Sequence, residues 1–250
     1  MEIGTNEPRR FMDAMDIDGI QSLSFRRNRE SPRFVLCLLM VICFSGSANA
    51  QDGPDTRDEL WPEVDLFVTL NPVWRLFFLA NITQERETNI DQEGQVGAHV
   101  DYFYNKYLAF RAGYRYGFSL QEDEPFQENR ILFEQTIRLP IPWKILMSDR
   151  NRQDLRWVDG AFSVRYRNRL MLERDFILAD YRFTGYGSAE VYYDSRYDTF
   201  NRNRFVFGVV LPLSKHFGLD LNYARQNDSR SKPNHVNAIG IILVLTLRNR

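Results

Sequence analysis

Arginine returns at alternate positions in several stretches of this 250-residue chain. Arg150, Arg152 and Arg156 alternate in one segment, Arg165, Arg167 and Arg169 in the next, and Arg202 and Arg204 in a later one. Read with period two, Arg111, Arg115, Arg130 and Arg138 fall on the same face, and so do Asp101, Glu134, Asp154, Glu173, Glu190, Asp194 and Asp220. On an extended strand, residues two apart project from one side. Planar guanidinium groups bind carboxylates and other oxyanions through paired N–H donors. Two chemistries follow if that face is enclosed. Arginine–carboxylate pairs can cross-link a filled interior, the favoured reading for a narrow lumen. Alternatively, because these twelve arginines outnumber the seven carboxylates by five, the interior attracts an anionic solute.

Covalent chemistry is less well supplied. His99, His216 and His235 are the three histidines. A barrel lipid hydrolase, such as a membrane phospholipase or lipid A deacylase, sets a histidine beside a serine on the adjacent strand, with an orienting carboxylate or amide. His99 shares a face with Asp101, but the neighbouring segments offer no serine in register. His216 falls in a turn and His235 at a loop edge. No catalytic residue is therefore assigned. No histidine pair has metal-ligand spacing, and Glu122-Asp123-Glu124 reads as a solvated loop, so no metal or cofactor is expected. A net charge of −1 gives no reason to expect nucleic acid as a partner.

Segments of about ten residues with strict alternation position these groups. In 95–104, Val96, Ala98, Val100, Tyr102 and Tyr104 face one way, and Gln95, Gly97, His99 and Asp101 the other. In 108–118, apolar Leu108, Phe110, Ala112, Tyr114, Tyr116 and Phe118 oppose Arg111, Gly113, Arg115 and Gly117. Period two with an aromatic-rich apolar side is how a membrane β-barrel is encoded. Eleven such segments are expected: 63–70, 74–83, 95–104, 108–118, 130–139, 144–158, 162–173, 181–194, 201–211, 217–226 and 236–247. Bacterial barrels favour even strand numbers, so ten to twelve strands are expected, with twelve favoured and the extra strand drawn from 57–63. Short turns at Asn71, Asn105, Pro140 and Pro212 alternate with longer loops at Gln84, Gln121, Thr199 and Asn227. One segment is awkward: if its arginines face inward, Asp149, Asn151 and Gln153 meet lipid at mid-depth, unless the strand protrudes above the membrane, lines a contact between protomers, or belongs to a barrel that is not lipid-embedded.

A leader precedes the strands. Arg26, Arg27, Arg29 and Arg33 form a basic region, 34–44 is an eleven-residue apolar core, and Ala48-Asn49-Ala50 is an A-x-A site. Residues 1–50 are read as leader and Sec signal peptide cleaved after Ala50, and 51–250 as the barrel domain. Both cysteines, Cys37 and Cys43, lie in the leader, so the mature chain would contain none.

Trp61-Pro62-Glu63-Val64-Asp65, Trp74-Arg75-Leu76-Phe77-Phe78, Asp149-Arg150-Asn151-Arg152, Arg165-Tyr166-Arg167-Asn168-Arg169, Glu190-Val191-Tyr192-Tyr193 and Asn201-Arg202-Asn203-Arg204 occur in that order. Together they resemble a bacterial family of outer-membrane-type barrels catalogued as domain of unknown function 2490. The resemblance implies an outer-membrane barrel with no assigned activity. The chain departs from usual barrel practice by ending Thr246-Leu247-Arg248-Asn249-Arg250 rather than with an aromatic residue.

The sequence is thus read as an all-β protein, a single closed antiparallel up-and-down transmembrane β-barrel, with a structural or transport role and an arginine-rich lumen. Its expected partners are outer-membrane lipid and lipopolysaccharide, the barrel-assembly machinery during biogenesis, and an anionic solute. Two alternatives remain. One is a soluble periplasmic lipocalin-like lipid binder, which turns the same alternation inside out. The other is an outer-membrane lipid hydrolase.

Overall fold

The structure is a computed structural model that describes residues 56–85, 90–121 and 125–248. The leader with its Ala48-Asn49-Ala50 site, the Glu122-Asp123-Glu124 loop, and Asn249 and Arg250 lie outside the described residues. Among the described residues eleven strands form one sheet: β1 (Thr56–Thr69), β2 (Trp74–Glu85), β3 (Ile90–Phe103), β4 (Leu108–Ser119), β5 (Gln127–Ile141), β6 (Ile145–Val158), β7 (Ala161–Leu178), β8 (Tyr181–Asp194), β9 (Thr199–Pro212), β10 (Phe217–Asp228) and β11 (His235–Arg248). Each pairs with its neighbour in sequence, and β1 pairs with β11 to close the barrel.

The favoured count of twelve is corrected to eleven. No separate strand forms from 57–63, because those residues are the first half of β1. The odd number has a geometric consequence. In an up-and-down meander the first and last of eleven strands run the same way, so the closing pair is parallel, in unbroken register from Thr56↔His235 to Thr69↔Arg248. The start of β1 and the end of β11 therefore lie at opposite rims. Pro62, which cannot donate to a ladder, is accommodated where the β1–β2 register skips from Leu60↔Gln84 to Glu63↔Asn81.

Two other boundaries moved. Residues 174–178, expected as a connection, continue β7 against β8, because the two-residue turn Ala179-Asp180 adopts positive φ of 47° and 66° and closes the hairpin tightly. Pro140 does not end its strand, since β5 runs on to Ile141 with Pro140 opposite Leu146. The turns of one rim share a device. Asn71 Oδ1 accepts from the Val73 and Trp74 amides, both at 2.9 Å. Asn105 Oδ1 accepts from Tyr107 and Leu108 at 2.7 and 2.9 Å, and Ser214 Oγ from His216 and Phe217 at 3.2 and 3.1 Å. These side chains stand in for backbone acceptors.

The outer wall is apolar around its circumference, with Val64, Phe78, Val96, Val100, Ile131, Leu170, Phe207, Ile239 and Ile241 all exposed. Aromatic pairs mark both rims. Trp74–Tyr102 and Phe176–Phe183 sit towards the turn rim, at 4.8 and 5.5 Å between centroids. Trp157–Phe162 and Tyr193–Phe200 sit towards the loop rim, at 5.2 and 5.5 Å. The arginines of the alternating stretches point inward. This is the reverse of a lipocalin-like barrel, whose interior would be apolar.

Candidate functional site: the arginine-lined lumen

All twelve expected arginines, Arg111, Arg115, Arg130, Arg138, Arg150, Arg152, Arg156, Arg165, Arg167, Arg169, Arg202 and Arg204, line one cavity of about 740 Å³. Its wall includes Phe126, Val158 and Arg196 at the loop rim and Ser214, Lys215 and His216 at the turn rim. The cavity therefore reaches from one mouth of the barrel to the other.

The pairs hug the wall in layers. Near the turn rim, Asp101 accepts from Arg75 at 2.9 and 2.7 Å and from Arg111 at 2.5 and 3.0 Å. Arg75 lies over Phe67 and Arg111 over Phe77, with guanidinium carbons 4.6 and 4.3 Å from the ring centroids. In the middle, Glu190 accepts from Arg167 at 3.0 and 2.9 Å, from Arg150 at 2.7 Å and from the Tyr192 hydroxyl at 2.7 Å. Glu134 is the second carboxylate of Arg150, at 3.6 Å. Beside them the fully buried Asp154 bonds Arg152 at 2.6 Å. Near the loop rim, Asp194 gathers Arg156, Arg165 and Arg196 at 3.1, 2.7 and 2.9 Å. Glu128 accepts from Arg130 at 2.8 Å and also from Arg156. Arg202 pairs with Asp228 at 2.6 Å.

The expected surplus of five positive charges is corrected. Glu63, Asp65, Glu93 and Glu128 also line the cavity, and so does Arg75. With Arg75, Arg196 and Lys215 the interior holds fifteen cations against eleven carboxylates, to which Asp228 beside Arg202 adds a twelfth, so the surplus among these described residues is three. The reason is local: Glu63, Asp65 and Arg75 lie on β1 and β2, whose faces were not assigned from sequence, and Glu93 and Glu128 belong to strands that begin earlier than the alternation suggested.

Charge is also unevenly spread. Among the described residues, Glu63, Asp65 and Asp220 on β1 and β10 have no arginine within ion-pair distance. Asn81 donates to Glu63 at 3.0 Å, and the Tyr186 hydroxyl to Asp220 at 2.8 Å. Among the described residues, Arg115 bonds only His99 and Gln95, at 3.1 and 3.2 Å. Arg204 bonds only Gln226 among them, at 2.5 and 3.1 Å. No hydrogen bond or ion pair holds Arg169 among the described residues, although its cross-strand neighbours are Arg150 on one side and Glu190 on the other. These three guanidinium groups have no carboxylate partner among the described residues. Glu173 lines the same cavity without a carboxylate–arginine contact inside 4 Å.

The histidines are engaged elsewhere. His99 meets the Phe77 carbonyl through Nδ1 at 3.2 Å and receives Arg115 at Nε2. Its space comes from Gly113 across the hairpin, where a Cβ would overlap the imidazole. His216 Nδ1 contacts the Thr246 carbonyl at 3.0 Å, and His235 Nδ1 the Asn227 amide oxygen at 2.8 Å. No imidazole nitrogen of the three has a hydroxyl partner among the described residues.

A family model described as "Protein of unknown function (DUF2490)" matches residues 58–237, which run from β1 into β11. The chain belongs to the DUF2490 family. No curated protein sequence matches this DUF2490 barrel. Among solved structures it is similar to LpxR from Salmonella typhimurium, at 9% identity and TM-score 0.45 over 68% of this chain and 83% of that one. It is also similar to the beta domain of the Bordetella autotransporter BrkA, at 14% identity and TM-score 0.43 over 68% of this chain and 79% of that one. Neither likeness assigns an activity to this DUF2490 barrel.

Proposed function

We propose that this chain is an outer-membrane β-barrel, exported by the Sec route, that offers small anions a narrow, weakly selective path across the membrane. The apolar outer wall between two aromatic bands supports the location, since that is the surface lipid selects. The continuous cavity lined by Arg115, Arg169 and Arg204 carries the transport reading. Pores select anions through arginines that are not neutralised by neighbours. Selectivity is weak because the opposite wall presents Glu63, Asp65 and Asp220, and because most other guanidinium groups are already spent on carboxylates.

In a planar bilayer under a potassium chloride gradient, the reversal potential is expected on the anion side. Arg115→Gln with Arg169→Gln is expected to move it toward the cation side, while Arg202→Gln, at the rim and paired, moves it less. Cation preference in the unaltered protein, or no conductance above the lipid alone, would overturn the transport reading.

A further inference from the structure

Midway along β6 the apolar belt is interrupted. On β6 the outward positions run Ile145, Met147, Asp149, Asn151, Gln153, Leu155 and Trp157, so the three central ones are polar. On β5, Gln135 sits between the outward Ile137 and Phe133, and on β7, Asn168 sits between Leu170 and Tyr166. Register makes them one island: Gln135 lies opposite Asn151, and Asn151 opposite Asn168. Apolar side chains flank the island towards both rims, so neither mouth of the barrel hydrates it and lipid headgroups do not reach it.

Part of the island satisfies itself. Asn168 donates to Asp149 at 2.6 Å and to Asn151 at 3.2 Å, and the Tyr166 hydroxyl bonds Asn151 at 2.5 Å. Gln135 and Gln153 do not take part. Both are exposed, and neither has a hydrogen-bond partner among the described residues. Acyl chains cannot satisfy a primary amide, and an unsatisfied polar group in hydrocarbon costs several kcal/mol.

We propose that this island on β5–β7 is the contact face of a homodimer, in which the carboxamides of Gln135 and Gln153 meet the amide groups of a second copy. A carboxamide is both donor and acceptor, so an amide-rich patch is complementary to itself, as an isologous interface requires. Both copies insert in the same orientation, so their two-fold axis lies along the membrane normal. Groups at equal depth then face each other, amide against amide, with the second oxygen of Asp149 free to accept. Hydrogen bonds between polar side chains join membrane segments in this way. The contact rests on the membrane location proposed above.

The test uses the full chain with Cys37→Ser and Cys43→Ser, reconstituted in phospholipid vesicles. Gln153→Cys is expected to form an oxidative cross-link between copies, and Ile241→Cys, across the barrel on β11, is not. In density-matched micelles the unaltered chain is expected to sediment as a dimer. Gln135→Leu with Gln153→Leu, which breaks no internal hydrogen bond, is expected to weaken that dimer about tenfold or more. A monomer at every concentration, equal cross-linking at both cysteines, or a dimer indifferent to the double leucine change would overturn the proposal. So would copies held apart while bound lipid is lost on the leucine change, because the amides would then serve lipid. Failure of the vesicles to carry the protein on flotation would sink the membrane reading itself, separately from the contact.

Discussion

Glu190→Ala is expected to destabilise the folded barrel by about 3 kcal/mol, the low end for stranding a buried charge because the cavity can admit water. Glu190 is only 4% exposed and is the carboxylate that Arg167 and Arg150 share. Without it, Arg167 keeps only the Tyr192 hydroxyl at 3.0 Å, and Arg150 falls back on Glu134. Arg169, already unpartnered, sits directly across from Arg150. Three guanidinium groups would then crowd one layer of the wall with a single carboxylate. Equilibrium unfolding of the vesicle-bound protein in guanidinium chloride measures the loss. Glu190→Leu combined with Arg167→Leu should recover most of it, since removing both partners of a buried pair is far cheaper than removing one. Recovery would separate a charge effect from a packing effect.

Ile241→Arg is expected to cost about 2–4 kcal/mol in lipid, the range for arginine at the midplane of an outer-membrane barrel. Ile241 lies midway along β11 on the apolar wall, 40% exposed, with Ile239 and Leu243 on either side. The size of the effect discriminates between environments. On a barrel surrounded by water the same change is a surface substitution worth about 0.5 kcal/mol or less. Refolding yield into vesicles and the unfolding midpoint both report it.

Alternation made most of the fold legible. Strands such as β3 and β4 alternate without a break, and every arginine assigned to the interior lies there, because a register of two leaves no third option for a side chain. The losses occurred where alternation is interrupted. Pro62 hid the first half of β1, and with it the reason the barrel closes on eleven strands. The Ala179-Asp180 turn carries no glycine, so the end of β7 read as a loop. Charge balance was harder to read than orientation, because it depends on strand ends such as Glu93 and Glu128. Which arginines remain unpaired is not a property of any one strand. Arg169 faces the cavity bare because Arg150, on the neighbouring strand, reaches past it to Glu190.

Accessibility along β3 tests most directly which wall meets lipid. With nitroxide labels placed one at a time at 95, 96, 98, 99 and 100 in vesicles, the labels replacing Val96, Ala98 and Val100 are expected to collide with oxygen, which concentrates in acyl chains. Those replacing Gln95 and His99 should instead collide with a water-soluble nickel chelate, or with neither reagent. The opposite alternation, with nickel reaching 96, 98 and 100, would place the apolar wall outside the bilayer and contradict the membrane barrel.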